Sequence, residues 1–133
     1  MNTAELLRSR GIRPSEQRVR IFEALSSVKT HPSAEALFLA LSPSMPSLSR
    51  TTVFSTLDLL ARAGLAQRLA LTGSELRYDA DTSRHVHFRC RSCGAVCDLE
   101  GVRPPPVPRL PEGFVLEGTQ YYAEGLCPEC APR

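Results

Sequence analysis

The stretch LSRTTVFSTLDLLARAGLAQRLALTGSELRYDA, residues 48–80, changes its hydrophobic period halfway along. In the first half, Val53, Leu57 and Leu60 recur at the spacing of one buried helix face. Gly64 follows, and glycine is typical of the position just past a helix C-terminus. Beyond it, apolar and polar residues alternate in "LAQRLAL" and again in "ELRYDA", on either side of "TGS". This alternation around a turn sequence predicts a two-stranded hairpin.

Two further helices are predicted before this stretch. In "SEQRVRIFEALSSV", Ile21, Leu25 and Val28 recur at helical spacing, and Ser15 marks the start. In "THPSAEALFLAL", Ser33 is a suitable N-cap for the next helix. Helices followed directly by a hairpin are the pattern of a winged helix-turn-helix, in which the last helix is the recognition helix and the hairpin is the wing.

The polar face of the predicted recognition helix suits contact with DNA. Thr51 and Ser55 lie opposite its buried stripe, and Arg50 and Thr52 lie near its start. Small hydroxyls and an arginine at the first turns can meet phosphates and base edges. A solvated helix face accounts for the same residues, but the wing and the Arg-rich flank "RSRGIRPSEQRVR" favour DNA binding.

Composition places the chain among ordinary globular proteins. It has 133 residues, 42% of them apolar and 23% charged, which suits one domain or two small ones. It has no Trp and only 6% aromatics, so the core must rest on Leu, Val, Ala and Ile. No apolar run approaches the roughly 20 residues of a membrane helix, and the N-terminus lacks the apolar stretch of a secretion signal. These features predict a cytoplasmic protein without a membrane partner.

Positive charge is concentrated in the first half of the chain. Residues 1–71 hold 9 Lys and Arg against 5 Asp and Glu, a net +4, and residues 72–133 hold 7 against 9, a net −2. This asymmetry suggests a basic module joined to an acidic one. A chance distribution of solvated charges explains the same numbers.

Four of the five cysteines form two Cys-x-x-Cys pairs, Cys90 with Cys93 and Cys127 with Cys130. An odd cysteine count without a secretion signal argues against a disulfide framework. Two such pairs can close a four-thiolate zinc site, which leaves no open position and is therefore structural. Two separate redox-type pairs are the alternative. Cys97 is left over and is expected to be a small buried residue.

The histidines point to a second kind of site. On a strand, His85 and His87 share one face, whereas Cys90 lies on the other. Imidazoles with carboxylates suit Fe(II), Mn(II) or Zn(II) rather than a metal that prefers thiolates. Ordinary core or surface histidines remain the alternative. The other candidate ligands are His31, Asp79 and Asp98.

The remainder of the chain is short strands and loops. "DTSR", residues 81–84, is polar and predicted to be a hinge, and "HVHFRC" and "AVCDLE" are predicted strands. "VRPPPVPRLPEG" is too rich in proline for a regular helix. "FVLEGTQYYAE", residues 114–124, is predicted as the last strand.

These motifs resemble the ferric uptake regulator family of bacterial metal-dependent repressors. The resemblance covers nearly the whole chain and rests on "GIRPSEQRVRIFEAL", "HPSAEALFLAL", "SRTTVFSTLDLLARAGL", "RYD", "HVHFRCRSCGAVCDLE" and "GLCPEC". It implies an α+β chain with a winged-helix DNA-binding domain at 1–80, a hinge at 81–84 and a small α/β dimerisation domain with a four-cysteine zinc site at 85–133. It also implies a homodimer on palindromic operator DNA that represses metal-uptake or oxidative-stress genes when metal is bound.

The resemblance assigns roles to individual residues. A regulatory site for Mn(II) or Fe(II), which also takes Zn(II) in vitro, is implied at His31, Asp79, His85, His87 and Asp98. One structural zinc ion per subunit is implied at Cys90, Cys93, Cys127 and Cys130. The resemblance and the polar face of the recognition helix together predict the DNA contacts, which are Arg13, Arg18, Ser49, Arg50, Thr51, Thr52, Phe54 and Ser55.

The chain departs from the family pattern at three places. Phe54 stands where the family commonly has tyrosine, so a hydroxyl is lost and apolar contact with a thymine methyl is left. The strand "FVLEGTQYYAEG" lacks the histidines of many members, which argues against a further histidine-rich site. The proline-rich segment 104–111 replaces a family helix, which is expected to reshape the dimer interface.

The family resemblance leaves the sensed signal open. Asp98 stands at a ligand position where an aspartate, rather than a glutamate, resembles the pattern of the peroxide-sensing branch of the family. In that branch, peroxide oxidises the histidine ligands of bound Fe(II). Iron or manganese sensing ranks first, then peroxide sensing and zinc sensing. Two functions outside the family are a metal-dependent hydrolase, which lacks an evident general base, and a zinc-ribbon interaction module. The prediction is a regulator rather than an enzyme, with no small-molecule substrate beyond metal ions and peroxide.

Overall fold

A computed structural model of the chain describes residues 1–70, 75–116 and 118–132. The chain divides into two compact units, Met1–Thr82 and Ser83–Arg133, so the division comes inside the segment predicted as a hinge. The predicted turn "TGS" at 72–74 lies outside the described residues. Among the helices that the structure describes, none is long and apolar enough to cross a membrane.

The first unit consists of helices followed by a hairpin. Each helix begins where an Asn or Ser side chain accepts a hydrogen bond from the backbone N–H three residues later, which satisfies one exposed donor of the first turn. The predicted helix start at Ser15 and the predicted N-cap Ser33 are confirmed, and Ser15 is itself the N-cap of α2. The elements are α1 Thr3–Ser9, α2 Glu16–Ser26, α3 Ala34–Leu41, α4 Arg50–Arg62, β1 Gln67–Leu69 and β2 Arg77–Asp79.

Helix α4 lies at the centre of this unit's core. Its predicted stripe of Val53, Leu57 and Leu60 is fully buried, and Gly64 follows with φ of 76°, as expected after a helix C-terminus. The prediction for Val28 is wrong. Helix α2 ends at Ser26, so Val28 leaves the buried face and is 39% exposed.

Truncation of Leu57 tests this core. Leu57→Ala removes a fully buried side chain from the middle of α4 and leaves a cavity between packed helices. We expect the free energy of unfolding to fall by about 2–5 kcal/mol, measured by urea denaturation. Leu39→Ala is the matched control, because Leu39 is 57% exposed on α3, and we expect a change of no more than about 0.5 kcal/mol. Equal effects of the two substitutions would contradict the core assignment.

The hairpin is antiparallel, with Gln67 opposite Asp79 and Leu69 opposite Arg77. The loop before α3 joins the outer edge of the hairpin through a bridge between Ser33 and Arg77, and the Tyr78 N–H donates to the carbonyl of Pro32 at 3.0 Å. This pairing brings the loop that carries the N-cap of α3 beside strand β2.

The second unit is a three-stranded sheet of β3 Val86–Cys90, β4 Val96–Asp98 and β5 Tyr121–Gly125, in the order β4-β3-β5. Strand β4 is antiparallel to β3 and β5 is parallel to it. The last strand is shorter than predicted. It starts at Tyr121 rather than at residue 114, because its register with the five residues of β3 begins there. The segment 103–111 is not helical, as its prolines require.

Candidate metal centres

The four paired cysteines converge in the second unit. Parallel pairing sets Gly125 beside Cys90 at the end of β3, so Cys127 follows directly at the same end of the sheet. The four sulfur atoms lie within 4.8 Å of one another, and the Sγ atoms of Cys93 and Cys127 are 3.8 Å apart. Four zinc–sulfur bonds of about 2.3 Å in a tetrahedron place sulfurs about 3.8 Å apart. The geometry therefore fits a tetrahedral zinc ion.

Backbone N–H groups stabilise the thiolate form of Cys90, which is the form that binds a metal. The Cys90 sulfur accepts the N–H of Cys93 at 3.5 Å and the N–H of Cys127 at 3.4 Å. These bonds lower the pKa of Cys90 to about 6 and favour its thiolate. The neighbouring Cys127 sulfur raises the pKa of Cys130 to about 12. Four adjacent thiolates need a cation among them, which is what zinc supplies in such sites.

Cys97 does not belong to this cluster, and the prediction that it is buried is wrong. It lies on β4 opposite Phe88, where buried Val96 is followed by exposed Cys97. Because side chains alternate along a strand, Val96 and Cys97 point to opposite faces of the sheet, and the face of Cys97 is exposed to solvent.

In the first unit, His31 and Asp79 form a buried pair. His31 Nε2 lies 3.1 Å from Asp79 Oδ2, and the two side chains are 1% and 8% exposed. The other carboxylate oxygen accepts the backbone N–H of Asp81 at 2.9 Å, which fixes the carboxylate plane. His31 has φ of 55°, a strained conformation for a residue with a side chain, and the Arg77 guanidinium donates to its carbonyl at 3.2 Å. The unit thus holds one imidazole and one carboxylate in fixed orientations.

In the second unit, two histidines face one carboxylate. His85 Nε2 lies 3.2 Å and His87 Nε2 lies 3.5 Å from Asp98 Oδ1. His87 and Asp98 are cross-strand partners, and His85 directly precedes β3. Cys90 belongs to the thiol cluster and not to the histidine group, as expected if the two kinds of ligand form separate sites.

A hydrogen bond selects the nitrogen that His85 offers to a ligand. Its Nδ1 lies 2.7 Å from the carbonyl oxygen of Ser83, and because a carbonyl only accepts, Nδ1 carries a proton and Nε2, on the side of Asp98, is the nitrogen left for a metal. Metal–ligand bonds of about 2.1 Å at angles of about 90–110° place ligand atoms about 3.0–3.5 Å apart. The distances within each unit fall in this range.

The predicted DNA contacts lie mostly on exposed positions of α4 and of the segment before α2. Arg50, Thr51, Phe54 and Ser55 are exposed and Thr52 is half-buried. Ser49 is the N-cap of α4, so its hydroxyl is engaged by the N–H of Thr52.

The Arg-rich flank precedes and enters helix α2. Arg13 is exposed and Arg18 is half-buried, and the guanidinium of Arg18 donates to the carbonyl of Arg13 at 2.8 Å. This bond fixes the chain that leads into α2.

One feature of this surface is not evident from the sequence. The Arg50 guanidinium donates two hydrogen bonds to the Glu35 carboxylate and lies over the ring of Phe38. The sequence indicates for Glu35 only a place in the first turn of α3, because nothing in its local pattern points to a partner on another helix.

Comparisons with known proteins agree with this architecture. A model of the ferric uptake regulator family matches residues 9–103. The peroxide-responsive repressor PerR of Staphylococcus aureus strain Mu50 is 33% identical over 130 residues, which cover 96% of this chain and 88% of the relative. The transcriptional regulator FurA of Mycobacterium tuberculosis strain H37Rv is 33% identical over 132 residues, which cover 96% and 89%.

The fold is also that of a solved structure. The crystal structure of the Vibrio cholerae ferric uptake regulator aligns with a TM-score of 0.72 at 21% identity, over 95% of this chain and 100% of that chain. The family model covers most of the chain, and the two curated relatives extend over almost all of it. The chain therefore belongs to the ferric uptake regulator family.

Proposed function

We propose that the protein is a metal-dependent repressor that binds operator DNA as a homodimer and senses Fe(II) or Mn(II). The observation that carries the proposal is that each unit holds its own set of oriented nitrogen and oxygen ligands. His31 and Asp79 belong to the winged-helix unit, and His85, His87 and Asp98 belong to the sheet unit. Imidazole and carboxylate donors suit Fe(II), Mn(II) and Zn(II).

The five residues are proposed to share one ion. Because the two ligand groups lie in different units, shared ligation restricts the orientation of the winged helix relative to the sheet unit. In a homodimer, this orientation sets the spacing of two recognition helices, which must match successive major grooves about 34 Å apart. By linkage, operator DNA then tightens metal binding by the same factor that metal tightens DNA binding.

The sheet unit is the proposed dimerisation unit. It exposes large apolar side chains, among them Phe114 at 69%, Val115 at 82% and Tyr122 at 54%. Exposed large apolar side chains suit a surface that is covered on association. The proposed structural zinc is held by Cys90, Cys93, Cys127 and Cys130, whose sulfur spacing supports a four-thiolate site.

The proposed DNA-binding surface is the exposed face of α4 with the basic segment before α2. Its polar and cationic groups suit phosphates and base edges, and the excess of Lys and Arg in residues 1–71 supports it. Its proposed contact residues are Arg13, Arg18, Ser49, Arg50, Thr51, Thr52, Phe54 and Ser55.

Peroxide sensing is the second candidate function. It is favoured by Asp98 in the ligand set and by the 33% identity to a protein named a peroxide-responsive repressor. The test is exposure of the Fe(II)-loaded protein to hydrogen peroxide, followed by mass spectrometry. Addition of one oxygen atom to a peptide that contains His31, His85 or His87 supports this candidate, and unmodified peptides with retained DNA binding exclude it.

Metal-dependent DNA binding tests the main proposal. Duplexes selected from a random pool are titrated with zinc-containing protein, with and without Mn(II) or Fe(II). Coupling free energies of about 1–3 kcal/mol correspond to a roughly 5- to 150-fold gain in affinity on metal addition. Binding that is the same with and without metal favours a zinc-ribbon module, and hydrolytic turnover without DNA binding favours a metalloenzyme. Response to Zn(II) alone assigns zinc sensing.

A further inference from the structure

Arg50, the first residue of recognition helix α4, is held by two side chains of α3. Its Nε donates to Glu35 Oε2 at 2.9 Å, and its Nη2 donates to Oε1 at 2.9 Å. Its guanidinium carbon lies 4.4 Å from the centroid of the Phe38 ring. Two parallel hydrogen bonds and a stacked ring fix both the position and the plane of the guanidinium.

This arrangement leaves one edge of the guanidinium available. Arginine carries five N–H donors, and Glu35 takes the one on Nε and one on Nη2. Over residues 1–70, 75–116 and 118–132, Arg50 Nη1 makes no hydrogen bond. The outer edge therefore offers two parallel N–H groups, one on Nη1 and one on Nη2.

A purely structural role explains the arrangement poorly. The Arg50 and Glu35 side chains are 57% and 48% exposed, and exposed ion pairs contribute little to stability. A cation at a helix N-terminus is also opposed by the helix dipole. Helix α4 therefore gains little stability from an arginine at this position.

The charge balance argues against a simple phosphate contact. The hydrogen bonds from Arg50 lower the pKa of Glu35, so its carboxylate stays ionised beside the guanidinium. The pair has no net charge, which weakens its attraction to a phosphate. Phe54 lies one turn further along the same helix and is 54% exposed, so this face of α4 is accessible.

We propose that Arg50 reads a guanine in the major groove with its outer guanidinium edge, and that Glu35 and Phe38 are positioning residues for this contact. The inference rests on the proposed DNA-binding function. Guanine presents O6 and N7 as two adjacent acceptors, which match two parallel N–H donors. A guanidinium that is already oriented loses less conformational freedom when it binds.

The first test removes one acceptor from the base. Zinc- and Mn(II)-loaded protein selects duplexes from a random pool, and each guanine of the selected duplex is replaced in turn by 7-deazaguanine, which lacks N7. Bidentate arginine–guanine contacts discriminate by roughly 5- to 150-fold. We expect the wild-type protein to lose at least about 5-fold in affinity at one guanine position, and Arg50→Gln to be insensitive to the replacement at that position.

Arg62→Gln is the matched control. Arg62 lies at the other end of α4 and pairs with Asp58 at 3.0 Å, so its loss removes one positive charge from the same helix. We expect this variant to keep the wild-type sensitivity to 7-deazaguanine. Two results overturn the inference while the proposed function stands. In the first, Arg50→Gln is as sensitive to 7-deazaguanine at every position as the wild-type protein. In the second, Arg50→Gln loses the same affinity on all sequences and the dependence of log affinity on log salt concentration falls by about 1, which marks a phosphate contact. Failure of the wild-type protein to bind any duplex overturns both.

The positioning role has its own readout. Glu35→Gln keeps the side-chain shape but weakens the bidentate bond to Arg50. We expect it to reduce discrimination between guanine and 7-deazaguanine several-fold, while affinity for unselected DNA stays equal or rises. Phe38→Leu is expected to reduce the same discrimination, with an unchanged circular dichroism spectrum. If Glu35→Gln raises affinity for all duplexes and keeps full discrimination, Glu35 masks Arg50, and the positioning role is excluded.

Discussion

His87→Ala is expected to abolish the metal dependence of DNA binding and to leave the fold and the zinc ion in place. His87 is 2% exposed, and its Nε2 lies 3.5 Å from Asp98 Oδ1, so the substitution removes one proposed ligand from the sheet unit. Under the proposed function, loss of one ligand weakens the shared ion through which metal binding is coupled to operator binding. We expect the roughly 5- to 150-fold gain in operator affinity on addition of Mn(II) to fall to about onefold.

The measurement is fluorescence anisotropy with a selected duplex, at fixed zinc content and with increasing Mn(II). Cys97→Ala is the control, because Cys97 is next to Asp98 in sequence but is exposed and outside the proposed ligand set. It should respond to Mn(II) like the wild-type protein. Retention of the full metal response by His87→Ala, with zinc and circular dichroism unchanged, would remove His87 from the regulatory site.

Cys127→Ser is expected to unfold the sheet unit. Cys127 contributes a sulfur to the cluster and its N–H to the Cys90 sulfur, so it joins the end of the chain to strand β3. Structural zinc supplies about 10–16 kcal/mol of apparent binding free energy in zinc-finger peptides. A unit as short as Ser83–Arg133 has little core with which to compensate, because domains of about 60 residues or fewer are only marginally stable.

Metal analysis and hydrogen exchange of the full chain test this expectation. In the wild-type protein we expect one zinc ion per subunit and slow exchange at the amides of β3 and β5. In Cys127→Ser we expect loss of zinc and an increase in exchange of at least about 100-fold at these amides, while the buried helix α4 stays protected. Cys97→Ser should retain both zinc and protection. Wild-type zinc content and exchange in Cys127→Ser would contradict the four-cysteine site.

The predictions that the structure confirms rest on local sequence signals. Helix α4 and its stripe of Val53, Leu57 and Leu60 follow from a periodicity of a few residues. The hairpin follows from alternation on both sides of a turn signal. The proximity of the two thiolates within each Cys-x-x-Cys pair follows from their spacing, because such a pair lies on one tight turn.

Errors arise where a local pattern continues past the end of its element. Val28 keeps the helical spacing of Ile21 and Leu25, but α2 ends at Ser26. Residues 114–124 have the composition of a strand, yet β5 is limited to five residues by its pairing with β3. Cysteine is usually a buried residue, but Cys97 lies on the solvent-exposed face of the sheet.

The sequence by itself therefore determined the type and order of the elements from α2 onward, the two Cys-x-x-Cys pairs and the chemical nature of the candidate ligands. Only the tertiary structure decided which distant groups meet. His31 reaches Asp79 across 48 positions, and Arg50 reaches Glu35 across 15. Secondary structure and short metal-binding motifs depend on neighbours within a few residues, whereas such contacts depend on how helices and strands pack, and that packing leaves no periodic signal in the chain.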